Sequence, residues 1–280
     1  MTGTPAASPA VLTVEGLRKT YALPGGGRLT AVDGVGFSVP RGGSVGIVGE
    51  SGSGKTTVAR MLVGLVRPDA GTVAVAGRVR EDRTPRGRTA RLARAREIQM
   101  VFQDPYVSLD PRLTSRQCLL TALRLHGAPA GEADAKALGL LDRVGLGARE
   151  AEARPHGLSG GQRQRLAIAR ALAVDPRVLV LDEAVAALDV SIQAQILQLL
   201  EEIRGETGVA LVFVSHDLAV VRHVTDETLV MCRGEAVEQG PTAEVLAAPR
   251  AAYTRALLAA VPREGWDPGE AVRAARGGVR

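Results

Sequence analysis

The sequence predicts an α/β protein in which strands and helices alternate around a mainly parallel sheet. Apolar runs typical of buried strands recur along the chain, and segments with helical periodicity separate them. A glycine-rich loop at residues 49–57 lies directly between one such strand and a helix. From about residue 105 to residue 157 the pattern is helical, which predicts a helical insertion in the sheet domain.

The first two strands are predicted at residues 11–17 and 31–39, where apolar and polar residues alternate around a loop rich in glycine and proline. The continuous apolar run of residues 44–48 predicts a buried parallel strand, and residues 57–64 predict the helix that follows the glycine-rich loop. Further strands are predicted at residues 72–76, 98–102, 178–181, 209–214 and 228–231, and further helices at residues 117–125, 134–144 and 162–173.

Composition limits the class of protein. The 280 residues are 45% hydrophobic but only 2% aromatic, so the core must consist mostly of Val, Leu, Ile and Ala. Cys118 and Cys232 have no paired spacing, which predicts two buried, unreactive thiols rather than a disulfide or a zinc site.

No apolar run approaches the roughly 20 residues that cross a bilayer. Because residues 1–10 lack a signal-peptide pattern, we expect a protein that is cytosolic or held peripherally at a membrane.

The net charge of +5 is partly local, because eight arginines lie within residues 78–96. Nucleic-acid binding is one interpretation of such a cluster. The aromatic residues that interleave with arginines in single-strand binders are missing, however, and Arg91, Arg94 and Ala95 fit one face of a helix. The favoured interpretation is a solvated helix near an anionic membrane surface, or simply an arginine-rich composition, and we expect no nucleic-acid partner.

The glycine-rich loop reads Gly-Glu-Ser-Gly-Ser-Gly-Lys-Thr-Thr and matches the phosphate-binding pattern G-x-x-x-x-G-K-[ST]. Glycines let successive N–H groups point at a polyphosphate, and the following helix N-terminus adds a favourable dipole. Lys55 supplies a positive charge for the outer phosphates, and the Thr56 hydroxyl can reach Mg²⁺. The loop therefore predicts nucleoside triphosphate binding by Gly49, Glu50, Ser51, Gly52, Ser53, Gly54, Lys55, Thr56 and Thr57.

Two further motifs suit the same chemistry. Asp182 and Glu183 end a predicted central strand, where ligands of α/β proteins bind. Asp182 is the candidate for holding Mg²⁺, and Glu183 is the candidate for orienting and polarising the attacking water. Residues 158–162 read Leu-Ser-Gly-Gly-Gln and precede a predicted helix, with Ser159 at the N-cap and the glycines leaving N–H groups bare. Each motif taken alone is weak support for function.

In this combination, the motifs resemble those of the ATP-binding subunits of ABC transporters over about residues 11–246. The signature Leu-Ser-Gly-Gly-Gln, the acidic strand end, Gln103 and His216 occur in the family's order. The resemblance implies an ABC-type P-loop NTPase fold with an antiparallel β subdomain. It also implies an ATPase domain at residues 11–248, with a helical subdomain inserted at about residues 104–160, and a C-terminal extension at residues 249–280.

The resemblance also implies roles for the site residues. Two such domains pack head to tail, and the signature of one contacts the ATP of the other through Ser159, Gly160, Gly161 and Gln162. Tyr21 stacks on the adenine, and His216 holds the γ-phosphate and the catalytic Glu183. Gln103 senses the γ-phosphate and joins Thr56 and Asp182 in binding Mg²⁺.

Residues 101–112, 188–197 and 253–258 are similar to the peptide and nickel importer group, especially to its second ATPase subunit. The group implies a different, homologous ATPase as partner, two permeases, an external solute-binding protein, and a peripheral location at the cytoplasmic face of the cell membrane. The chain has Ala184 and Ala186 where the group usually has Pro and Ser. It also has Ala-Ala at residues 251–252 in place of the group's His-Pro, so the sequence does not establish whether the tail docks as it does in the group. The alternatives are the energising subunit of an exporter and a soluble ABC ATPase acting on nucleic acid or ribosomes.

Overall fold

A computed structural model describes residues 9–81 and 85–260. Residues 9–81 and 210–260 form one compact unit, and residues 85–209 form a second. Residues 1–8 lie outside the described residues, and they are most of the segment in which we expect no signal peptide. Residues 261–280 of the predicted C-terminal extension also lie outside them. Among the described residues, no helix combines the length and apolar character that a membrane span requires.

The described elements follow one another as the alternating pattern predicts. In chain order they are β1 (Ala10–Ala22), β2 (Arg28–Pro40), β3 (Ser44–Val48), α1 (Lys55–Val63), β4 (Ala70–Val75), β5 (Arg78–Val79), α2 (Arg88–Glu97), β6 (Ile98–Val101), α3 (Ser115–Leu125), α4 (Ala130–Arg143), α5 (Ala148–Glu152), α6 (Gly160–Leu172), β7 (Val178–Asp182), α7 (Val190–Thr207), β8 (Ala210–Ser215), α8 (Leu218–Val224), β9 (Glu227–Cys232), β10 (Glu235–Pro241), α9 (Thr242–Ala247) and α10 (Ala252–Ala259).

The first unit contains an antiparallel sheet with strand order β2-β1-β4-β5. Its two long strands extend well beyond their predicted ends because the β1–β2 hairpin stays paired up to Ala22 and Arg28. One face is apolar and fully buried, and Leu12, Leu17 and Val35 lie on it. This sheet confirms the antiparallel part of the predicted fold class.

The other strands of the first unit are mainly parallel. β3 runs parallel to β8 on one side and to β9 on the other, and β10 pairs antiparallel with β9. Every residue of β3 and β8 is buried, which fits the continuous apolar runs of strands covered on both faces. Val48 lies opposite Ser215, so both strands end at the same edge.

The second unit combines the parallel pair β6 and β7 with the predicted helices. Helix α4 begins at Ala130, earlier than predicted, directly after Pro129, whose φ of −58° suits a helix start. Helix α6 begins at Gly160 rather than at residue 162, because Ser159 occupies the N-cap. None of the residues of α2 is buried, in agreement with the predicted solvated helix.

The buried apolar residues are mostly Val, Leu, Ile and Ala, as the composition predicts. Both cysteines are free, but only Cys118 is buried, and Cys232 is half-buried, so the prediction of two buried thiols was wrong for Cys232. Burial raises the pKa of both thiols, which keeps them protonated at neutral pH.

Candidate nucleotide-binding site

The glycine-rich loop of residues 49–57, called the phosphate loop below, leads from β3 into α1. Its conformation depends on glycine at two positions. Gly49 has φ of 149° and Gly54 has φ of 104°, which side chains rarely tolerate. A Cβ atom at either position would lie 2.2 Å from a backbone carbonyl oxygen, in β9 and in β2 respectively. The neighbouring strands therefore pack closely against the loop backbone and leave no room for a side chain at these two positions.

This packing predicts unequal effects of alanine at two loop positions. Gly54→Ala is expected to weaken ATP binding roughly tenfold or more, about 1.4 kcal/mol, because the carbonyl oxygen that its Cβ meets belongs to a paired strand. Gly52→Ala is the matched control, since Gly52 has φ of 81° but no atom within 4 Å of its Cβ position. Calorimetric ATP titration of both variants measures the difference, and equal affinities would contradict the steric account.

Lys55 is buried within the loop that it completes, with only 5% of its surface exposed. Its Nζ donates hydrogen bonds to the carbonyl oxygens of Gly49 at 2.7 Å and Glu50 at 2.8 Å. The Ser53 N–H also donates to the Glu50 carbonyl, at 3.2 Å. The ammonium group is thus held at the start of α1, where its backbone partners can be exchanged for phosphate oxygens.

His216 lies at the same edge of the first unit as the phosphate loop. It directly follows Ser215, which pairs with Val48 immediately before the loop. Asp217 then caps α8 by accepting a hydrogen bond from the Ala219 N–H at 2.9 Å. This tight turn leaves the His216 side chain exposed at the strand end.

Tyr21 lies near the end of β1, paired with Leu29 of β2. Its side chain is 38% exposed, and Lys19 Nζ lies 5.6 Å from the ring centroid. The ring is therefore partly accessible to a planar base.

The second unit brings Gln103, Asp182 and Glu183 to one strand edge. Val101 pairs in parallel with Leu181, so the residues that follow β6 and β7 leave the pair at the same edge. Asp182 is buried, at 7% exposure. Glu183 has φ of 48°, a left-handed conformation that costs a residue with a side chain roughly 1–2 kcal/mol. Ala76, Asp175 and Arg233 share this conformation, so the strain is consistent with a functional role for Glu183 but does not assign one.

The signature segment begins helix α6 with a complete capping box. Ser159 Oγ accepts a hydrogen bond from the Gln162 N–H at 3.2 Å, and Gln162 Oε1 accepts one from the Ser159 N–H at 2.9 Å. A Cβ at Gly161 would lie 2.5 Å from Ile192 Cγ2, so packing against α7 requires that glycine. At Gly160 the nearest atom would be 3.7 Å away. Packing within the described residues therefore does not require a glycine at position 160.

A contact that sequence reasoning missed joins the signature segment to the segment after Gln103. The Arg163 guanidinium lies 4.7 Å from the ring centroid of Tyr106, in the 3-10 turn Pro105–Val107. Arg163 Nη1 also donates to the carbonyl oxygen of Leu158. The two partners are far apart in sequence, and no motif spacing signals their meeting. Arg163 thus couples two candidate site segments within the second unit.

Comparison with known proteins decides the family. The sequence profile of the family described as ABC transporter matches residues 32–186, more than half of the chain. The chain belongs to the ABC transporter family. This confirms the resemblance that the motifs indicated.

Two relatives of this chain are ATP-binding proteins for solute transport. The oligopeptide transport ATP-binding protein OppD of Mycobacterium bovis is 45% identical over 260 residues, and the glutathione import ATP-binding protein GsiA of Salmonella choleraesuis is 45% identical over 259 residues. Each alignment covers 90% of this chain. The chain spans only 42% and 41% of the length of these two relatives.

Solved structures of the family share the fold. The ATP-binding cassette MJ0796, determined as a dimer bound to ADP and Pi, is 30% identical, with a TM-score of 0.73 over 82% of this chain and 98% of that chain. Clostridium perfringens cbiO1, part of the transporter complex cbiONQ, is 29% identical, with a TM-score of 0.74 over 91% of this chain and 97% of that chain. These similarities confirm the predicted ABC-type α/β fold class.

Proposed function

We propose that this chain is the ATP-hydrolysing subunit of an importer of di- or oligopeptides. The main support is the grouping of the predicted site residues. The phosphate loop and His216 share one strand edge in the first unit, and Gln103, Asp182 and Glu183 share one in the second. The glutathione import and oligopeptide transport ATP-binding proteins at 45% identity favour import of a peptide-like solute over export or a soluble role.

In the proposed reaction, the protein positions ATP and a water molecule and neutralises charge. Lys55 and the N–H groups of the phosphate loop bind the outer phosphates, and Tyr21 stacks on the adenine. Glu183 accepts the proton of the attacking water. His216 binds both the γ-phosphate and Glu183 and keeps them aligned for the reaction.

Three further residues supply oxygen atoms suited to Mg²⁺. The Thr56 hydroxyl, the Gln103 amide and the Asp182 carboxylate are hard donors of the kind that this cation prefers. Gln103 and Asp182 lie at the same edge of the β6–β7 pair, which supports this assignment. When bound, Mg²⁺ would neutralise the charge that develops on the phosphates.

The partners that we propose are a second, homologous ATPase chain, two membrane permeases and, indirectly, an external solute-binding protein. The chain would then lie at the cytoplasmic face of the membrane. Gly160 supports the ATPase partner, since packing in the described residues does not require a glycine there. Of the two alanines that replace the group's Pro and Ser, Ala184 is buried and Ala186 is exposed. Ala186 is therefore the replacement that would alter contact with the partner and make the two ATP sites unequal.

Gly160→Asp tests both the hydrolysis and the partner. The new carboxylate has room within its own chain but would repel the γ-phosphate of ATP bound to the other subunit, in a site with little water. We expect the isolated variant to bind ATP normally and the complex with its wild-type partner to lose most ATPase activity.

The matched control for this variant is Gly139→Asp, which adds the same charge at an exposed position of α4 with no atom within 4 Å. ATPase activity is measured on the co-purified complex, and ATP affinity is measured on the isolated chain. If Gly160→Asp loses its own ATP affinity while the complex hydrolyses normally, the signature does not act on the partner's nucleotide.

A further inference from the structure

Helix α10, the last helix of the described residues, reaches the phosphate loop through one hydroxyl group. Tyr253 Oη accepts a hydrogen bond from the backbone N–H of Glu50, with 3.1 Å between the nitrogen and the oxygen. Glu50 is the second residue of the loop. The Cys232 side chain also interacts with this hydroxyl, and burial is the main cause that raises the pKa of Tyr253. The contact is therefore made by a neutral phenol.

Helix α10 is itself tied to the sheet of the first unit. Glu238 in β10 accepts hydrogen bonds from the N–H groups of Arg250 at 2.7 Å and Ala251 at 3.0 Å. A carboxylate at this place satisfies two backbone donors and interacts favourably with the dipole of the helix. The helix thus docks even though residues 251–252 depart from the His-Pro of the importer group. Tyr253, in its first turn, is held at a defined position.

A single peptide group connects Tyr253 to Lys55. The Gly49 carbonyl and the Glu50 N–H belong to one planar unit, which can only rotate as a whole. Its N–H donates to Tyr253, and its carbonyl oxygen accepts from Lys55 Nζ at 2.7 Å. A rotation that breaks the bond to Tyr253 would therefore also move the oxygen that orients Lys55.

The opposite side of the loop is held by the β9–β10 hairpin. The Gly234 N–H donates to the Ser53 carbonyl oxygen at 3.0 Å, and the Gly234 carbonyl accepts from the Asp33 N–H at 2.8 Å. Residues 227–260 thus hold the loop through the backbone of Gly234 and through the side chain of Tyr253.

We propose that Tyr253 is a positioning residue for Lys55, and that through it helix α10 forms part of the nucleotide site. The hydroxyl fixes the Gly49–Glu50 peptide and with it the loop conformation that receives the phosphates. ATP binding and the docking of α10 then favour each other, because the linkage between them is reciprocal. This inference rests on the proposed binding of ATP by the loop.

Tyr253→Phe tests the inference, since it removes the hydroxyl and keeps the ring. We expect ATP affinity of the full chain, measured by calorimetry, to fall about fivefold, the equivalent of about 1 kcal/mol for one net hydrogen bond. Ala252→Ser is the matched control, because Ala252 directly precedes Tyr253 on α10 but is exposed. Its affinity should equal that of the wild type.

A double-mutant cycle with Lys55→Ala separates positioning from a general loss of structure. If Tyr253 acts through Lys55, adding Tyr253→Phe to Lys55→Ala causes no further loss of affinity. The same loss in both backgrounds, or a Tyr253→Phe affinity within about twofold of wild type, would overturn the inference. Failure of the wild-type chain to bind ATP would instead contradict the proposed function, so the two failures are distinguishable.

Discussion

Glu183→Gln is expected to bind ATP with unchanged affinity and to lose nearly all hydrolysis. The amide keeps the size and the left-handed backbone of Glu183 but cannot accept a proton from water. General-base catalysis typically contributes a factor of about 10² to 10⁴. Phosphate release by the purified complex should fall by a factor in this range, while ATP titration of the isolated chain remains as in the wild type.

The same substitution has a structural consequence that can be measured separately. Because closure around ATP does not require the base, the variant should trap two ATPase subunits around unhydrolysed nucleotide, which size-exclusion chromatography with ATP and Mg²⁺ would detect. Glu201→Gln, on the exposed side of α7, is the matched control and should behave as the wild type. Near-normal turnover of Glu183→Gln would assign the base to another residue.

Lys55→Ala is expected to weaken ATP binding strongly and to abolish turnover. The substitution removes a buried ammonium group that, in the proposed function, binds the outer phosphates, and hydrogen bonds to charged groups contribute roughly 1.5–3 kcal/mol each. The loss of affinity should therefore exceed tenfold, about 1.4 kcal/mol. Calorimetric titration with ATP measures it, and urea unfolding of the same sample reports whether the fold survives.

Lys136→Ala provides the control for this variant. Lys136 lies on α4 and forms an exposed ion pair with Asp175, at 2.7 Å, so its removal changes the charge without touching the phosphate loop. Its ATP affinity should equal that of the wild type. An affinity of folded Lys55→Ala within about threefold of wild type, less than ~0.7 kcal/mol, would contradict the assignment of the phosphate loop.

The fold class could be predicted from sequence because buried parallel strands leave continuous apolar runs. The runs at residues 44–48 and 178–181 correspond to β3 and β7, whose residues are all buried. The glycine-rich turn between β3 and α1 was equally predictable, since its glycines and its flanking elements are contiguous in the sequence. Strand β10 was missed because it is a polar edge strand, Glu-Ala-Val-Glu-Gln-Gly-Pro, in which little side-chain surface is buried.

The missed parts of the candidate site depend on backbone conformation or on contacts between distant residues. The left-handed Glu183 and the bond from Glu50 to Tyr253 leave no periodicity or spacing in the sequence. The contact between Arg163 and Tyr106 is of the same kind, because packing of separate segments creates it. The family resemblance identified the motifs, whereas the connections between them required the structure.

The most direct test of the account is uptake of a labelled oligopeptide by cells that lack only this chain and receive it back as wild type or as Glu183→Gln. Both proteins should assemble with the permeases in equal amounts, as measured by co-purification. We expect the wild type to restore ATP-dependent uptake and Glu183→Gln to leave it absent. Equal uptake with both proteins, or peptide movement out of the cell, would contradict the claim that ATP hydrolysis by this chain drives import.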